Sequence, residues 1–279
     1  MIQYIISDLD GTLFEGHGES VFDLAKENID ALLEAKGHGI RVLPCSGRSI
    51  PYSLRLYELY KLGNPVIAAG LNGSVIYDEG LVKTYQLDGN DVMEMIRITE
   101  KYPDKFYNMQ AQDLWEQRIY YYPNEYPAPM YREASGKDKC STVSDIPLTE
   151  FIKNGGEIGK FSIGSNTIED SKFMEDIIRT HFESSYTITR SSSTFLEVNH
   201  KLANKGRFVA YIKDKYQLKS DEIAVIGDNH NDSFMYSESE HTFAMARGDM
   251  NLQAQARYVV DSVAECIKMC IMMNENKQE

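Results

Sequence analysis

The stretch ISDLDGTLF, residues 6–14, places two carboxylates two positions apart directly after a short apolar run. Residues 2–7, IQYIIS, predict a buried strand, so Asp8 and Asp10 stand where that strand ends. Ionised carboxylates at this spacing repel each other, and burial of an unpaired charge is costly. The stretch therefore predicts that some other group offsets these two charges.

Strand and helix patterns alternate in the first and last parts of the chain. The strands predicted from apolar runs are residues 2–7, 40–44, 66–69, 75–78, 222–227, 242–245 and 258–260. The helices predicted from apolar periodicity and end signals are residues 22–36, 50–60, 206–216 and 263–273. Strands interleaved with helices predict an α/β fold with a Rossmann-like parallel sheet and right-handed crossovers.

The middle of the chain is richer in Tyr, Pro and polar residues. The elements predicted there are helices at 90–102 and 167–182, strands at 118–122 and 159–164, and a Pro-punctuated irregular loop at 120–131. We interpret residues 83–189 as an α+β cap domain inserted into a core domain, and residues 1–82 and 190–279 as that core.

The charge and composition of the chain exclude several classes of function. The 279 residues are 42% hydrophobic and 25% charged, as in ordinary globular proteins, and the net charge is -13 with a pI near 5.0. An acidic chain argues against nucleic-acid binding, and an anionic ligand would need local cations. No apolar run has the length of a membrane span or of a signal peptide. We therefore expect a cytoplasmic protein with reduced cysteines and with no membrane or nucleic-acid partner.

Four polar segments follow predicted strands or open predicted helices. They are DLDGT at 8–12, CSGR at 45–48, NKG at 204–206 and GDNHND at 227–232. In open parallel sheets, ligands bind beyond the carboxyl ends of the strands, so these distant segments are expected to meet at one edge. A lysine at a helix start, Lys205, opposes the helix dipole, and an anion nearby would explain it.

DLDGT, SGR, NKG and GDNHND, taken together and in this order, resemble the motifs of haloacid dehalogenase superfamily phosphohydrolases. The long insertion between the second and third motifs, and the segment LNGSVIYD at 71–78, are similar to the Cof-type subgroup with its α/β cap. The resemblance covers nearly the whole chain. It implies a Mg2+-dependent phosphohydrolase that removes phosphate from a small phosphorylated metabolite, a sugar phosphate being favoured, through an aspartyl-phosphate intermediate.

The resemblance also implies roles for individual residues of these segments. Asp8 is the expected nucleophile, and Asp10, on the same side of an extended chain, is the expected acid and base. The expected metal ligands are Asp8, Asp10 through its backbone carbonyl, and Asp228. The expected phosphate-binding residues are Ser46, Gly47 and Lys205. The expected supporting residues are Thr12, Arg48, Asn231 and Asp232.

Several of these residues have simpler interpretations. The two acids of DLDGT also suit an Asx-turn with helix capping, Ser46 suits a turn, and Lys205 suits a solvated helix start. His230 lies among acids, but Mg2+ prefers oxygen ligands, so we expect a loop residue there. Cys266 and Cys270 suit core thiols better than half of a metal site.

Two other functions share this set of acids, a lysine and a divalent cation. A phosphomutase would return the phosphoryl group to its substrate, and a receiver-like or phospho-ligand-binding module would hold it without turnover. The alternative substrates are a nucleotide, flavin mononucleotide or pyridoxal phosphate. The sequence indicates no particular oligomeric state.

One segment departs from the Cof-type pattern. Relatives usually carry a segment like AMGNA shortly after the motif that corresponds to GDNHND, whereas this chain has FAMARGDMN at 243–251. Arg247 and Asp249 replace small or neutral residues near the expected edge of the site. We therefore expect the local loop geometry to differ there.

Overall fold

The computed structural model describes residues 1–14, 23–116, 118–123 and 142–277, so most of the loop predicted at 120–131 lies outside the described residues. The strands are β1 (Tyr4–Ser7), β2 (Arg41–Pro44), β3 (Ile67–Gly70), β4 (Val75–Asp78), β5 (Leu81–Thr84), β6 (Phe106–Asp113), β7 (Ile119–Tyr122), β8 (Ile158–Ser165), β9 (Tyr186–Arg190), β10 (Phe195–His200), β11 (Ile223–Gly227), β12 (His241–Met245) and β13 (Tyr258–Val260). The helices are α1 (Lys26–Gly37), α2 (Ile50–Tyr60), α3 (Gly89–Thr99), α4 (Leu148–Lys153), α5 (Ile168–Phe182), α6 (Lys205–Tyr216), α7 (Ser233–Tyr236), α8 (Met250–Gln255) and α9 (Val263–Glu275).

The core is a parallel sheet of five strands in the order β13-β12-β11-β1-β2. β1 lies between β11 and β2, and all four of its residues are buried. Successive residues of a strand point to opposite faces, so Ile5 packs against α1 and α9 while Ile6 packs against α6. A parallel sheet covered by helices on both faces confirms the predicted α/β fold with a Rossmann-like core.

The carboxyl ends of β1, β2 and β11 lie side by side at one edge of this sheet. The register pairs Ser7 with Pro44 on one side and with Ile226 on the other. Asp8 follows at once, and its N–H donates to the Ile226 carbonyl at 3.0 Å. The chain therefore delivers Asp8 to the same level as the segments that leave β2 and β11.

A second, antiparallel sheet is inserted between β5 and α6, with the strand order β7-β6-β8-β10-β9. One face is apolar and packs against α3 and α5 through residues such as Phe161 and Val198. The alternate residues of the same strands, among them Lys160 and Glu197, look toward the core. This inserted sheet confirms the predicted cap.

A small antiparallel sheet, β3-β4-β5, stands between the two larger ones. Its β5 runs to Thr84, and β10, which belongs to the cap sheet, begins at Phe195. Sheet membership therefore does not follow the expected domain boundaries residue by residue, and those boundaries stay predictions. Among the described residues, no helix combines the length and the apolar character that a bilayer span requires.

Candidate active site

The turn after Asp8 is shaped around a second acid, Asp228. Gly11 has a φ of +79°, in the left-handed region, and a Cβ atom there would lie 2.3 Å from Asp228 Oδ2. The Thr12 hydroxyl donates to Asp228 Oδ1 at 3.2 Å. A glycine at position 11 thus lets the two acidic loops close on each other.

Lys205 is a buried cation shared by two carboxylates. It begins α6, directly after the N-cap residue Asn204, and is 1% exposed. Its Nζ donates to Asp8 Oδ1 and to Asp232 Oδ1, both at 2.6 Å. Burial lowers the pKa of Lys205, but Asp232 and Asp8 outweigh burial, so the pKa is raised and the ammonium stays charged. The two anions explain why a lysine is tolerated at this helix start. Its burial excludes the simpler interpretation of Lys205 as a solvated lysine.

Three carboxylates gather around this lysine at the edge of the sheet. Asp8, Asp228 and Asp232 each place one oxygen within 4.8 Å of the others. Burial raises the pKa of Asp8 well above its usual range, and burial together with Asp232 raises the pKa of Asp228 to about 6. Three acids thus stand around one ammonium that contacts only two of them, and this excess of carboxylate suits a divalent cation with oxygen ligands.

Asp232 holds the loop that carries Asp228. Its Oδ2 accepts the backbone N–H groups of Asp228 and Asn229 at 2.9 and 3.0 Å, while its Oδ1 accepts from Lys205. Both oxygens of Asp232 are therefore engaged within the protein. This leaves Asp8 and Asp228 as the better candidates for direct contact with a metal ion.

The segment after β2 presents hydrogen-bond donors to the same region. The Arg48 N–H donates to the Ser46 hydroxyl oxygen at 3.0 Å, which leaves the Ser46 hydroxyl proton to donate elsewhere. Gly47 lines the cavity, and no described residue accepts a hydrogen bond from its N–H. A hydroxyl and a backbone N–H are the kind of donors that bind phosphoryl oxygens.

Arg48 holds the carboxylate of Asp10. Its Nε and Nη2 donate to the two oxygens of Asp10 at 2.6 and 2.5 Å, and its guanidinium lies 4.6 Å from the centre of the Tyr52 ring. Burial lowers the pKa of Arg48, but Asp10 outweighs burial and the pKa is raised. The sequence predicted only a supporting role for Arg48, and the structure supplies its partner.

These segments line a cavity of about 320 Å³. The predicted site residues in its wall are Asp8, Asp10, Ser46, Gly47, Arg48, Asp228 and Asn231. The predicted residues beneath that wall, each in contact with Asp8 or Asp228, are Thr12, Lys205 and Asp232. Every residue predicted for the site thus belongs to one connected cluster, and the chemical role of each stays a prediction.

The opposite wall comes from the cap, and its residues were missed. Lys160, Ser191 and Glu197 line it, and Asn72 contacts it from the core side. Asn229, which the motif contains but to which we gave no role, lines the cavity as well. The sequence feature that could have indicated Lys160 and Glu197 is a charged residue within an otherwise apolar strand, as in GKFSI at 159–163 and FLEVN at 195–199.

A second cavity, of about 380 Å³, adjoins the first at Asn229. The Asn229 side-chain amide donates to the Ser191 carbonyl at 3.1 Å, so this bond stands between the two cavities. Arg179, Arg190 and His230 line the second cavity. His230 therefore lies outside the carboxylate cluster, as expected for a residue that is not a metal ligand.

The segment that departs from the Cof-type pattern contacts the turn after Asp10. Arg247 donates to the Gly11 carbonyl at 3.1 Å and to the Thr12 carbonyl at 3.2 Å. Asp249 accepts from the N–H groups of Asn251 and Leu252 and so caps α8. Arg247 therefore supports the turn after Asp10 from outside the carboxylate-lined cavity, and Asp249 lines the second cavity.

Comparison with known proteins agrees with this geometry. The chain matches the haloacid dehalogenase-like hydrolase family over residues 5–266, and it belongs to that family. It is 26% identical over 266 residues to the 5-amino-6-(5-phospho-D-ribitylamino)uracil phosphatase YcsE of Bacillus subtilis, which covers 95% of this chain and 92% of that protein. The family and its phosphatase relatives define a hydrolase of phosphoric monoesters of the Cof-like type, as the motifs predicted.

Solved structures share the whole fold. The HAD subclass IIB sugar phosphatase BT4131 gives a TM-score of 0.76 at 19% identity, over 96% of this chain and 98% of that one. A haloacid dehalogenase-like hydrolase from Bacteroides thetaiotaomicron gives a TM-score of 0.75 at 19% identity, over 97% of this chain and 100% of that one. The core and the inserted cap are therefore common to all three.

Proposed function

We propose that this protein is a Mg2+-dependent phosphohydrolase that acts on a small phosphorylated metabolite, a sugar phosphate being favoured, through an aspartyl-phosphate intermediate. The observation that carries the proposal is the buried cluster in which Lys205 bridges Asp8 and Asp232 beside Asp228. A nucleophilic carboxylate, a fixed cation and an excess of negative charge meet there. This combination suits attack on a phosphate group whose charge a divalent cation balances.

In the first step, Asp8 attacks phosphorus with Oδ2, the oxygen that does not contact Lys205. The bond from Asp8 to phosphorus forms while the bond from phosphorus to the leaving oxygen breaks, and Asp10 gives that oxygen a proton. The Ser46 hydroxyl and the Gly47 N–H bind phosphoryl oxygens. Because Arg48 occupies both oxygens of the Asp10 carboxylate, at least one of these hydrogen bonds must open, and Asp10 must take up a proton from solvent, before it can protonate the leaving oxygen.

In the second step, water attacks the phosphorus of the aspartyl-phosphate. Asp10, now ionised, takes a proton from that water, and the bond between phosphorus and the Asp8 oxygen breaks. Orthophosphate leaves, and Asp8 is restored as a carboxylate. The same residue thus acts first as acid and then as base.

Mg2+ bound by Asp8, the Asp10 carbonyl and Asp228 would supply positive charge to the phosphoryl oxygens. Five carboxylates and three cations surround the cavity, so one divalent cation would cancel the difference. The carboxylates are Asp8, Asp10, Glu197, Asp228 and Asp232, and the cations are Arg48, Lys160 and Lys205.

The cavity lining supports a sugar or polyol phosphate as substrate. Every described residue that lines the cavity is glycine or has a polar side chain. Hydroxyl groups find hydrogen-bond partners there, whereas the described lining residues offer no aromatic side chain on which a nucleobase, flavin or pyridoxal ring could stack. The names of two relatives, a sugar phosphatase and a phosphatase for a phosphoribitylamino compound, support the same class.

The test is a screen of phosphate esters with orthophosphate release as readout. The panel contains hexose and alditol phosphates, nucleotides, flavin mononucleotide and pyridoxal phosphate, each with Mg2+, with EDTA, and with Mg2+ restored. The Asp8→Asn variant, prepared in the same way, reports contaminating phosphatases. We expect Mg2+-dependent release that is fastest from a sugar or alditol phosphate.

Other outcomes identify the alternatives. An isomer of the substrate with little orthophosphate indicates a phosphomutase, and stable labelling of Asp8 without turnover indicates a phosphoryl-binding module. Preference for a ring-bearing phosphate contradicts the proposed substrate class. Equal rates with EDTA and with Mg2+ contradict the proposed cofactor.

A further inference from the structure

The cap brings its own buried ion pair to the active-site cavity. Lys160 on β8 and Glu197 on β10 are 6% and 5% exposed, and Lys160 Nζ lies 2.9 Å from Glu197 Oε1. Glu197 lies opposite Ser162, two residues from Lys160, so both charges share one face of the cap sheet. The reverse face of these strands is the apolar core of the cap. The pair therefore lies between cap and core, away from solvent.

Lys160 also reaches the phosphate-binding loop of the core. Its Nζ donates to the Gly47 carbonyl at 2.8 Å. The N–H of the same peptide group, which belongs to Arg48, donates to the Ser46 hydroxyl oxygen at 3.0 Å. This peptide is thus held at both ends, and its orientation determines where the Ser46 hydroxyl proton and the adjacent Gly47 N–H point.

Glu197 balances the charge of Lys160. Burial raises the pKa of Glu197, but Lys160 and the Asn72 amide outweigh burial, and the pKa is lowered. The Asn72 amide donates to Glu197 Oε2 at 2.6 Å, and the Asn231 amide donates to Asn72 Oδ1 at 3.1 Å. One hydrogen-bonded chain therefore links the cap pair to the loop at 227–232, which carries Asp228, as well as to the loop at 45–48, which carries Gly47.

We propose that Lys160 is a positioning residue through which the cap completes the phosphate subsite of the core. Lys160 holds the peptide group between Gly47 and Arg48. The orientation of that peptide group positions the Ser46 hydroxyl and the Gly47 N–H, which would donate to the phosphate group. This inference rests on the proposed function and adds one element to it. The affinity for the phosphate group itself, and not only the choice of leaving group, depends on a cap residue.

The test compares Lys160→Met with Lys160→Arg, which keeps a charged donor, and with Lys153→Met, which changes an exposed lysine of the same cap. The probe is inorganic orthophosphate in the presence of Mg2+. Its affinity is measured by calorimetry and as an inhibition constant against hydrolysis of p-nitrophenyl phosphate. Values of KM and kcat are measured for p-nitrophenyl phosphate and for the preferred sugar phosphate.

We expect Lys160→Met to weaken orthophosphate binding by about tenfold, which is the typical effect of losing one hydrogen bond to a charged group. KM for both esters should rise by a similar factor, because they share the phosphate subsite, while kcat falls less. Lys160→Arg should recover most of the affinity, and Lys153→Met should behave as the unmodified protein. Rescue by arginine separates positioning from a general loss of structure.

Two results overturn the inference. The first is equal orthophosphate affinity in Lys160→Met and Lys153→Met. The second is an effect on the sugar phosphate alone, which indicates a contact with the leaving group. If Lys160→Met does not fold, Lys160→Gln gives the same comparison without the charge. If the unmodified protein releases orthophosphate from no ester, the proposed function fails, while calorimetry with orthophosphate still decides the role of Lys160.

Discussion

Two buried lysines stand at the same cavity, Lys160 in its wall and Lys205 beneath it, and the charges around them differ. Lys205, from the core, lies 2.6 Å from each of two carboxylates, Asp8 and Asp232. Lys160, from the cap, has one carboxylate partner, Glu197, and one neutral carbonyl. The core lysine therefore stands in an excess of negative charge, whereas the cap pair is neutral.

We interpret this difference as one between residues proposed to take part in the reaction and residues that position others. Repelling carboxylates raise the free energy of the folded protein until a cation or a substrate joins them, so their presence needs a functional reason. A neutral buried pair keeps its geometry with or without a ligand. Changes on the core wall should therefore affect turnover, and changes on the cap wall should affect stability and binding.

The largest expected effect is that of Asp8→Asn on the core wall. Loss of the proposed nucleophile should reduce turnover of p-nitrophenyl phosphate by about 10⁶-fold, the size of effect seen when the nucleophile of another hydrolase is removed. Circular dichroism should show an unchanged fold, and Asp30→Asn, an exposed acid of α1, serves as the matched control. Turnover within about tenfold of the parent would place the nucleophile elsewhere.

The next effect is that of Asp10→Asn, which removes the proposed acid and base. We expect a loss of about 10³-fold, because both steps need proton transfer. Acid quenching should then trap phosphate bound to Asp8, which hydroxylamine releases. A variant as fast as the parent would show that another group, or water, transfers the proton.

Glu197→Gln tests the cap wall and should leave the charge of Lys160 buried and unbalanced. Removing one partner of a buried ion pair typically costs about 3 kcal/mol of folding free energy. Urea unfolding measures the loss, and Glu58→Gln, which breaks an exposed ion pair with Arg55, is the control. Equal stability of both variants would remove the contrast between the two walls.

Asp228→Asn should change the free energy of unfolding in the direction opposite to Glu197→Gln. In EDTA it removes one of three crowded carboxylates, and we expect the protein to gain about 1 kcal/mol of stability. The same variant should lose the rise in melting temperature that Mg2+ gives the parent by binding the folded state. A destabilised variant in EDTA would show that the cluster is balanced without a metal ion.

The smallest effect concerns His241, a buried imidazole near the carboxylate of Asp221 and the cations Lys277 and Arg257. Burial, and then Lys277 and Arg257, lower its pKa. As pH falls below about 6.5, the unfolded chain takes up the proton before the folded one, so the free energy of unfolding decreases. His241→Gln should flatten this part of the pH profile, whereas His181→Gln, an exposed residue, should not.

Local patterns predicted the elements that pack one apolar face on a sheet. The helix predicted at 50–60 spans Ile50–Tyr60, and the one predicted at 206–216 begins one residue earlier, at Lys205. Strands β6 and β10 were missed, since polar residues alternate with apolar ones along both. That alternation is normal for a strand with one polar face, and here the polar face of β10 meets the core instead of solvent.

The same reasoning explains which site residues were found. Asp8, Ser46 and Asp228 each follow a buried strand within a short motif, so their neighbours in sequence reveal them. Lys160 and Glu197 have no such motif. Their burial arises only because the cap lies on the core, and a charged residue in a strand otherwise indicates a solvent-facing position.

The contacts of Asp8 and its turn have a consequence for how the protein is made. Lys205 lies 197 positions after Asp8, and Arg247 contacts Gly11 across 236 positions. A ribosome therefore releases Asp8, the proposed nucleophile, long before these partners. A nascent chain that stops before position 205 carries Asp8 without the Lys205 ammonium, so it lacks the cluster on which the proposed activity depends.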